Sequence, residues 1–216
     1  MNEQVVLGID IGGTNTVYGL ITKEGEVIHH ESIPTNGSLP MANLLNRLDS
    51  VVNKALSSFP EIEEIIGVGI GAPNGNHFTG MIQDPPNLSW GNVDVISLFS
   101  EKFNCNVDLT NDANAAALGE RHFGIAKDMD DFVVITLGTG LGSGIFCGGR
   151  LLYGHDGFAG EMGHICIEVD GRLCNCGNKG CLEAYASAGG IRKTITLRAI
   201  KPQKLAEEKG SHRISW

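Results

Sequence analysis

Four residues offer the most specific chemistry in this chain: His164, Cys174, Cys176 and Cys181, spaced H-x9-C-x-C-x4-C. Three thiolates and one imidazole complete a tetrahedral zinc shell and leave no position for water, so an ion held by this set is structural rather than hydrolytic. Asn175, Gly177 and Gly180 supply the turns that let so short a segment wrap an ion. Three of the six cysteines fall within eight residues, which reads as metal ligation wherever thiols stay reduced. The competing reading is three buried cysteines beside a chance histidine. Two carboxylates bracket the cluster, Glu161 three residues before His164 and Glu183 two after Cys181. Zinc would draw both toward one place, and carboxylates accept hydrogen bonds from sugar hydroxyls. Taken alone, the same two residues would also suit a solvated surface.

Two glycine-rich segments suggest phosphate binding. In Asp10-Ile11-Gly12-Gly13-Thr14-Asn15-Thr16, glycines after a strand let backbone N–H groups face a phosphate without interference from a Cβ, and Thr14 adds a hydroxyl donor. Asp10 would hold Mg²⁺, directly or through water. A plain hairpin turn with an Asx bond would use the same residues. The second segment, residues 136–144, alternates Gly138, Gly140, Gly142 and Gly144 with small or hydroxyl residues, Thr139 among them. No lysine follows, so it is not a P-loop, and a strand follows where a dinucleotide loop would have a helix. A third segment, Leu109-Thr110-Asn111-Asp112-Ala113-Asn114-Ala115-Ala116-Ala117, places Asp112 where a strand gives way to a helix. A carboxylate there could take a proton from an attacking hydroxyl, or it could simply cap the helix.

The elements that must position these groups follow from periodicity. Apolar runs predict strands at Gln4–Asp10, Thr16–Ile21, Val27–Ser32, Ile65–Ile70, Asn106–Thr110, Phe132–Leu137 and Gly144–Cys147, with a hairpin turn at Lys23–Glu26. Met41, Leu44, Leu45, Leu48, Val51, Val52, Ala55 and Leu56 lie on one face at a 3.6-residue period, so Met41–Ser58 is a helix, with Ser38 as N-cap and Pro40 in the first turn. Further helices are expected at Val95–Phe103, capped by Asp94, and at Ala113–Phe123. Residues 71–90 read as a long polar loop, of a length that is often functional. Strand, glycine turn, strand occurs at residues 5–21 and again at 132–147, as two related halves would produce.

Composition narrows the function classes. The 216 residues contain 30 glycines, about twice ordinary usage, concentrated in the segments above. The net charge of −9 is the opposite of a general nucleic-acid binder's, so no nucleic-acid partner is expected. No apolar run is long enough for a membrane span, and the N-terminus reads directly as a strand rather than a signal peptide; the expectation is a cytoplasmic protein. Charge is uneven: residues 1–190 hold nine Lys/Arg and 23 Asp/Glu, and residues 191–216 hold seven and two.

Together, DIGGTNT at 10–16, NDANAAALGE at 111–120, LGTGLGSG at 137–144, GEMGH at 160–164 and CNCGNKGCLE at 174–183 resemble the ROK family of bacterial sugar kinases and sugar-responsive repressors, and NDANAAALGE resembles its glucokinase branch. The resemblance implies an α/β, actin-like (ribonuclease-H-like) two-lobe ATPase fold with the active site between the lobes. The small lobe would span residues 1–115, a partial large lobe with the zinc site 116–190, and an atypical basic tail 191–216. It implies ATP with Mg²⁺ and structural Zn²⁺, a hexose substrate (glucose first; N-acetylmannosamine, mannose, fructose or allose otherwise) and a homodimer. Asp112 would be the general base. Asn111, Glu161, His164 and Glu183 would contact the sugar, beside a loop containing Pro73 and Asn74. Asp10, Gly12, Gly13, Thr14, Asn15, Gly138, Thr139 and Gly140 would hold the nucleotide. Many members have glycine where Asn74 stands and lysine where Asn15 stands. His164 would bind zinc through one ring nitrogen and offer the other to a hydroxyl.

The resemblance also implies a longer protein. Kinases of this family extend further, and the matching motifs end near Ala188, where the charge reverses. The second lobe is therefore expected to be incomplete, with apolar surface and sheet edges exposed, weak or absent ATP affinity and poor turnover. With nine residues before Asp10, no room is expected for the helix-turn-helix of the family's repressors.

Overall fold

The computed structural model describes residues 3–85 and 88–199. Its main sheet has the order β3-β2-β1-β4-β8, built from β1 (Glu3–Ile11), β2 (Asn15–Thr22), β3 (Val27–Pro34), β4 (Ile62–Gly71) and β8 (Asn106–Thr110). The first three strands form an antiparallel meander, and β1, β4 and β8 run parallel. Alternation in β1 puts Val5, Leu7, Ile9 and Ile11 into the core, none more than 4% exposed, as the two-residue period of a strand requires. The core is completed by α1 (Met41–Leu56) through Leu44, Leu48 and Val52, and by α2 (Val95–Phe103) through Val95 and Phe99. Leu48 is fully buried, so Leu48→Ala should cost about 2–5 kcal/mol of stability, read as a lowered midpoint in urea unfolding.

Several expected boundaries shift. The first helix begins at Met41 behind Pro40, with no side-chain cap, and ends at Leu56. Ser38 is not the cap, because the chain reaches the helix through proline, whose fixed φ enters a helix readily. Asp94 caps α2 as expected, its carboxylate accepting from Ser97 N at 3.0 Å and Ser97 Oγ at 2.7 Å. The expected loop at 71–90 contains two strands of a small sheet, β5 (Gly75–Asn76) and β6 (Met81–Ile82), which is completed by β7 (Val93–Asp94). Asn76 organises it. Its buried side chain accepts from Phe78 N and Thr79 N and donates to the Asp156 carbonyl at 2.7 Å.

A second sheet has the order β11-β10-β9, with β9 (Phe132–Leu137), β10 (Leu141–Cys147) and β11 (Arg150–Leu151). The chain divides into two compact units, one of residues 1–134 and 144–160, the other of 135–143 and 161–216. The expected lobe boundary at 115 falls inside α3 (Asp112–His122). On one face of the edge strand β9, Val133, Ile135 and Leu137 are 47%, 50% and 62% exposed. The chain continues as helix α5 (Ala188–Ala199) past the charge reversal; the rest of the tail, including Pro202, lies outside the described residues. Among the described residues, no helix is long and apolar enough to cross a membrane.

Candidate functional site

In the first unit, parallel pairing aligns Asp10 with Gly71 and Gly71 with Thr110, so three strands end together and the next residues of each emerge side by side. From β1 the chain enters the first glycine turn. Gly12 N closes it by donating to Asn15 O at 3.0 Å, and a Cβ on Gly12 would lie 2.8 Å from that same oxygen, so only glycine fits. Gly13, Thr14 and Asn15 are exposed beyond it. Thr35 braces the turn from below. It is buried, and its hydroxyl donates to Gly12 O at 2.6 Å and lies 2.9 Å from Thr16 Oγ1. Nothing local marks Thr35 for this role; strand register brings it there.

From β8 the chain enters α3. The cap is Asn111, whose Oδ1 accepts from Ala113 N at 2.9 Å; Asp112 is the first helical residue, and its Oδ1 faces the same N–H at 2.9 Å. The capping alternative for Asp112 is thereby corrected. Its neighbour takes the cap position, and Asp112 stands exposed in the first turn, where the helix dipole favours a carboxylate. Desolvation by the surrounding protein, and after it the Asp112 charge, raise the pKa of Asp10 above its ordinary value. Two carboxylates near enough for one to act on the other are a fitting donor set for a divalent cation. The sign gives a test. A carboxyl group with a raised folded-state pKa contributes stability that is fully present below its unfolded pKa and lost as pH rises through the folded value. Asp10→Asn should therefore raise the melting temperature at neutral pH, with the gain vanishing in acid below the ordinary aspartate pKa.

The loop that contains Pro73 and Asn74 leaves β4 at Ala72, whose N–H donates to Thr110 O at 3.0 Å, and turns at Gly75, whose N–H donates to Ala72 O at 3.0 Å. Pro73 lies within this turn. Asn74 has a left-handed φ of +54°, a conformation open to glycine and tolerated by asparagine, which explains why the two residues can exchange here. Its Nδ2 donates to the Gln83 and Asp84 carbonyls at 2.9 and 3.1 Å, tying the loop to the residues just after β6.

In the second unit, the ligand atoms of His164, Cys174, Cys176 and Cys181 all lie within 4.8 Å of one another. His164 Nδ1 is 3.8 Å from Cys174 Sγ, and Cys176 Sγ is 3.7 Å from Cys181 Sγ. Tetrahedral zinc with ordinary bond lengths needs ligand–ligand edges of about 3.5–3.8 Å, so the set fits the ion. Without metal, burial first pushes the Cys174 thiol up to about 12; zinc would replace that proton. The fold delivers the ligands locally. A tight turn from Cys174 to Gly177 and the pairing of Leu173 with Lys179 form a knuckle, and a short 3-10 turn, Met162–His164, presents the imidazole. His164 Nε2, the other ring nitrogen, lies 3.9 Å from Glu161 Oε2.

Glu183, at the start of α4 (Glu183–Ala186), joins this cluster to the second glycine turn. One carboxylate oxygen accepts from Leu141 N at 2.9 Å and the other lies 3.4 Å from Cys174 Sγ. The turn is closed by Gly138 N donating to Gly140 O at 3.0 Å, which leaves Thr139 at its tip. A Cβ on Gly140 would sit 2.6 Å from Glu183 Oε2, so carboxylate and glycine fit each other. Sequence reasoning assigned Glu183 to the sugar and missed this contact, which spans 42 residues. It also missed Arg172, which lies 4.5 Å from the centre of the Tyr185 ring and donates to the Ala184 and Gly190 carbonyls, bracing α4 and the start of α5.

The ROK family model matches residues 6–212, beyond Ala188, where the sequence reading ended the resemblance. A glucokinase from Halalkalibacterium halodurans is 37% identical over 98% of this chain and 66% of its own length. Among solved structures, a ROK family glucokinase from Streptomyces griseus in complex with glucose and AMPPNP superposes with a TM-score of 0.75 at 34% identity, covering 94% of this chain and 64% of that one. A ROK family transcriptional regulator, a homolog of the E. coli MLC protein, superposes with a TM-score of 0.81 at 30% identity, covering 97% of this chain and 54% of that one. The chain thus spans just under two thirds of the glucokinases it matches, and its fold is the actin-like α/β fold of these structures, in part. A match that runs from the first strand through the His/Cys cluster and past α5 settles the relationship: this chain belongs to the ROK family.

Proposed function

We propose that this chain serves in ATP-dependent phosphorylation of a hexose, with glucose as first substrate and Asp112 as general base. The observation that carries the reading is the placement of Asp112, exposed in the first turn of α3 with a cap supplied by Asn111, close enough to Asp10 for its charge to raise the Asp10 pKa. In this reading the sugar hydroxyl oxygen attacks the γ-phosphorus, the bond to the β-phosphate oxygen breaks, and the hydroxyl proton passes to Asp112. The remaining work is positioning. Gly12, Gly13, Thr14 and Asn15, with Gly138, Thr139 and Gly140, would cradle phosphates. Asp10 would hold Mg²⁺, which when bound neutralises phosphate charge. Asn111, Glu161, His164, Glu183 and the Pro73–Asn74 loop would contact the sugar, with His164 held in orientation by zinc. A homodimer is the assembly that this reading expects.

The Halalkalibacterium halodurans relative is named a glucokinase, and the Streptomyces griseus structure contains glucose and AMPPNP; both support the choice of glucose. A second reading is a catalytically silent sugar-binding module, favoured by the exposed apolar face of β9. A coupled phosphorylation assay over glucose, N-acetylmannosamine, mannose and fructose, preceded by calorimetry with each sugar and then with ATP, separates them. Turnover with glucose supports the kinase. Sugar binding without nucleotide binding identifies the module. Absence of any sugar binding overturns both.

A further inference from the structure

Cys166 belongs to no part of the site described above, yet it lies directly opposite one of the four ligands. It pairs with Cys181 in an isolated antiparallel bridge. The bonds around that bridge are Ile167 N to Gly180 O at 2.8 Å and Leu182 N to Ile165 O at 2.9 Å. They flank the two cysteines rather than join them. This is a non-hydrogen-bonded antiparallel pair, in which opposed Cα atoms approach to about 4.5 Å and side chains leave the same face. A disulfide needs Cα atoms about 4.4–6.8 Å apart, so the backbone already holds these two cysteines at bridging distance. Cys166 Sγ lies over Gly180, 3.1 Å from where a Cβ would stand, immediately beside Cys181.

We infer that Cys166 and Cys181 form a redox modification site, at which a disulfide withdraws Cys181 from the zinc ligands and opens the metal shell. The division of labour follows from exposure. Cys174 and Cys181 are 4% and 1% exposed, whereas Cys166 and Cys176 are both exposed, and of these two only Cys166 lies outside the four-ligand set. Cys166 is therefore the exposed thiol of this region that a bound zinc would not shield from a dissolved oxidant. With a peroxide as oxidant, the Cys166 sulfur attacks one peroxide oxygen, the O–O bond breaks, and Cys166 becomes a sulfenic acid while the other oxygen leaves as an alcohol or water. The Cys181 sulfur then attacks the Cys166 sulfur. The S–S bond forms, the S–O bond breaks, and hydroxide leaves to become water. Two thiols are oxidised by two electrons, and the peroxide is reduced by two. Three ligands remain, His164, Cys174 and Cys176, and the shell is no longer closed.

The inference rests on the zinc reading of the cluster, and its test keeps the two apart. The zinc-loaded chain is treated with hydrogen peroxide. Released zinc is followed with a chromogenic chelator, and linkages are mapped by mass spectrometry of peptides prepared without reduction. The expected result is a Cys166–Cys181 linkage formed in step with zinc release, both reversed by dithiothreitol and added zinc. Cys166→Ser should keep the zinc content of the parent chain and release its metal several-fold more slowly. Linkages confined to Cys174, Cys176 and Cys181, or release from Cys166→Ser at the parental rate, would overturn the inference. An untreated chain without zinc counts against the zinc reading alone, because the presence or absence of the Cys166–Cys181 linkage in the metal-free protein still decides whether this pair is the oxidation site.

Discussion

Asp112→Asn should lower the turnover number for glucose phosphorylation by about 100- to 10,000-fold, the range by which a positioned general base accelerates a reaction, while glucose affinity changes little. The substitution suits the site. Asparagine keeps an oxygen for the Ala113 N–H that Asp112 faces, and the helix keeps its cap because Asn111 supplies it, so the fold has no reason to change. What is lost is the ability to take a proton. The same change removes the charge that, after desolvation, raises the Asp10 pKa, which gives a second readout independent of turnover. The stabilisation expected from Asp10→Asn at neutral pH should shrink when Asp112 is already asparagine, as a double-mutant cycle would show. Retained turnover would remove Asp112 from the role of base. An unchanged Asp10 effect would show that the two carboxylates do not communicate.

The purified, reduced chain should carry one zinc ion per molecule, and Cys174→Ser should abolish it. Cys174 is the sensitive position because it is buried and lies at the centre of the contacts in the second unit. Its Sγ is 3.8 Å from His164 Nδ1 and 3.4 Å from Glu183 Oε1, and the other Glu183 oxygen holds Leu141 N in the glycine turn. Structural zinc sites in small peptides bind with roughly 10–16 kcal/mol, more than the net stability of most domains. Loss of the ion should therefore unfold the knuckle and loosen the turn at 138–141 as well. Elemental analysis and hydrogen exchange check this together. The expectation fails if Cys174→Ser retains a full equivalent of zinc, or if amides at 138–141 and 161–183 keep their protection after the metal is removed.

The elements legible in the sequence are those whose causes are local. Alternation in β1, the 3.6-residue apolar face of α1 and the Asp94 cap of α2 depend on neighbours a few residues away, and the structure has them where the pattern puts them. The four-ligand set was legible for a related reason: thiolate and imidazole chemistry is carried by residue type, and the turns that gather three of the ligands lie within the same eight residues. Cap positions stayed open, or were misplaced, where more than one nearby residue could fill them. Asn111 and Asp112 are both competent caps, and only the approach of the chain from β8 gives the cap to Asn111 and leaves Asp112 in the first turn. Ser38 was a competent cap as well, displaced because the chain enters α1 through Pro40.

By itself, then, the sequence determined which atoms could do chemistry: the cluster of one histidine and three cysteines, the two glycine turns, Asp10 near the end of β1 and Asp112 at the start of α3. Tertiary structure alone decided their partners. It set Thr35 under the first turn, bound Glu183 to Leu141 across the second, brought Asp112 near enough to shift Asp10, and placed Cys166 opposite Cys181. The physical reason is common to all four. A side chain's chemistry is fixed by its covalent structure and its turn by nearby residues, but the group it faces across the fold is fixed by strand register and packing, which link residues that are far apart in the chain.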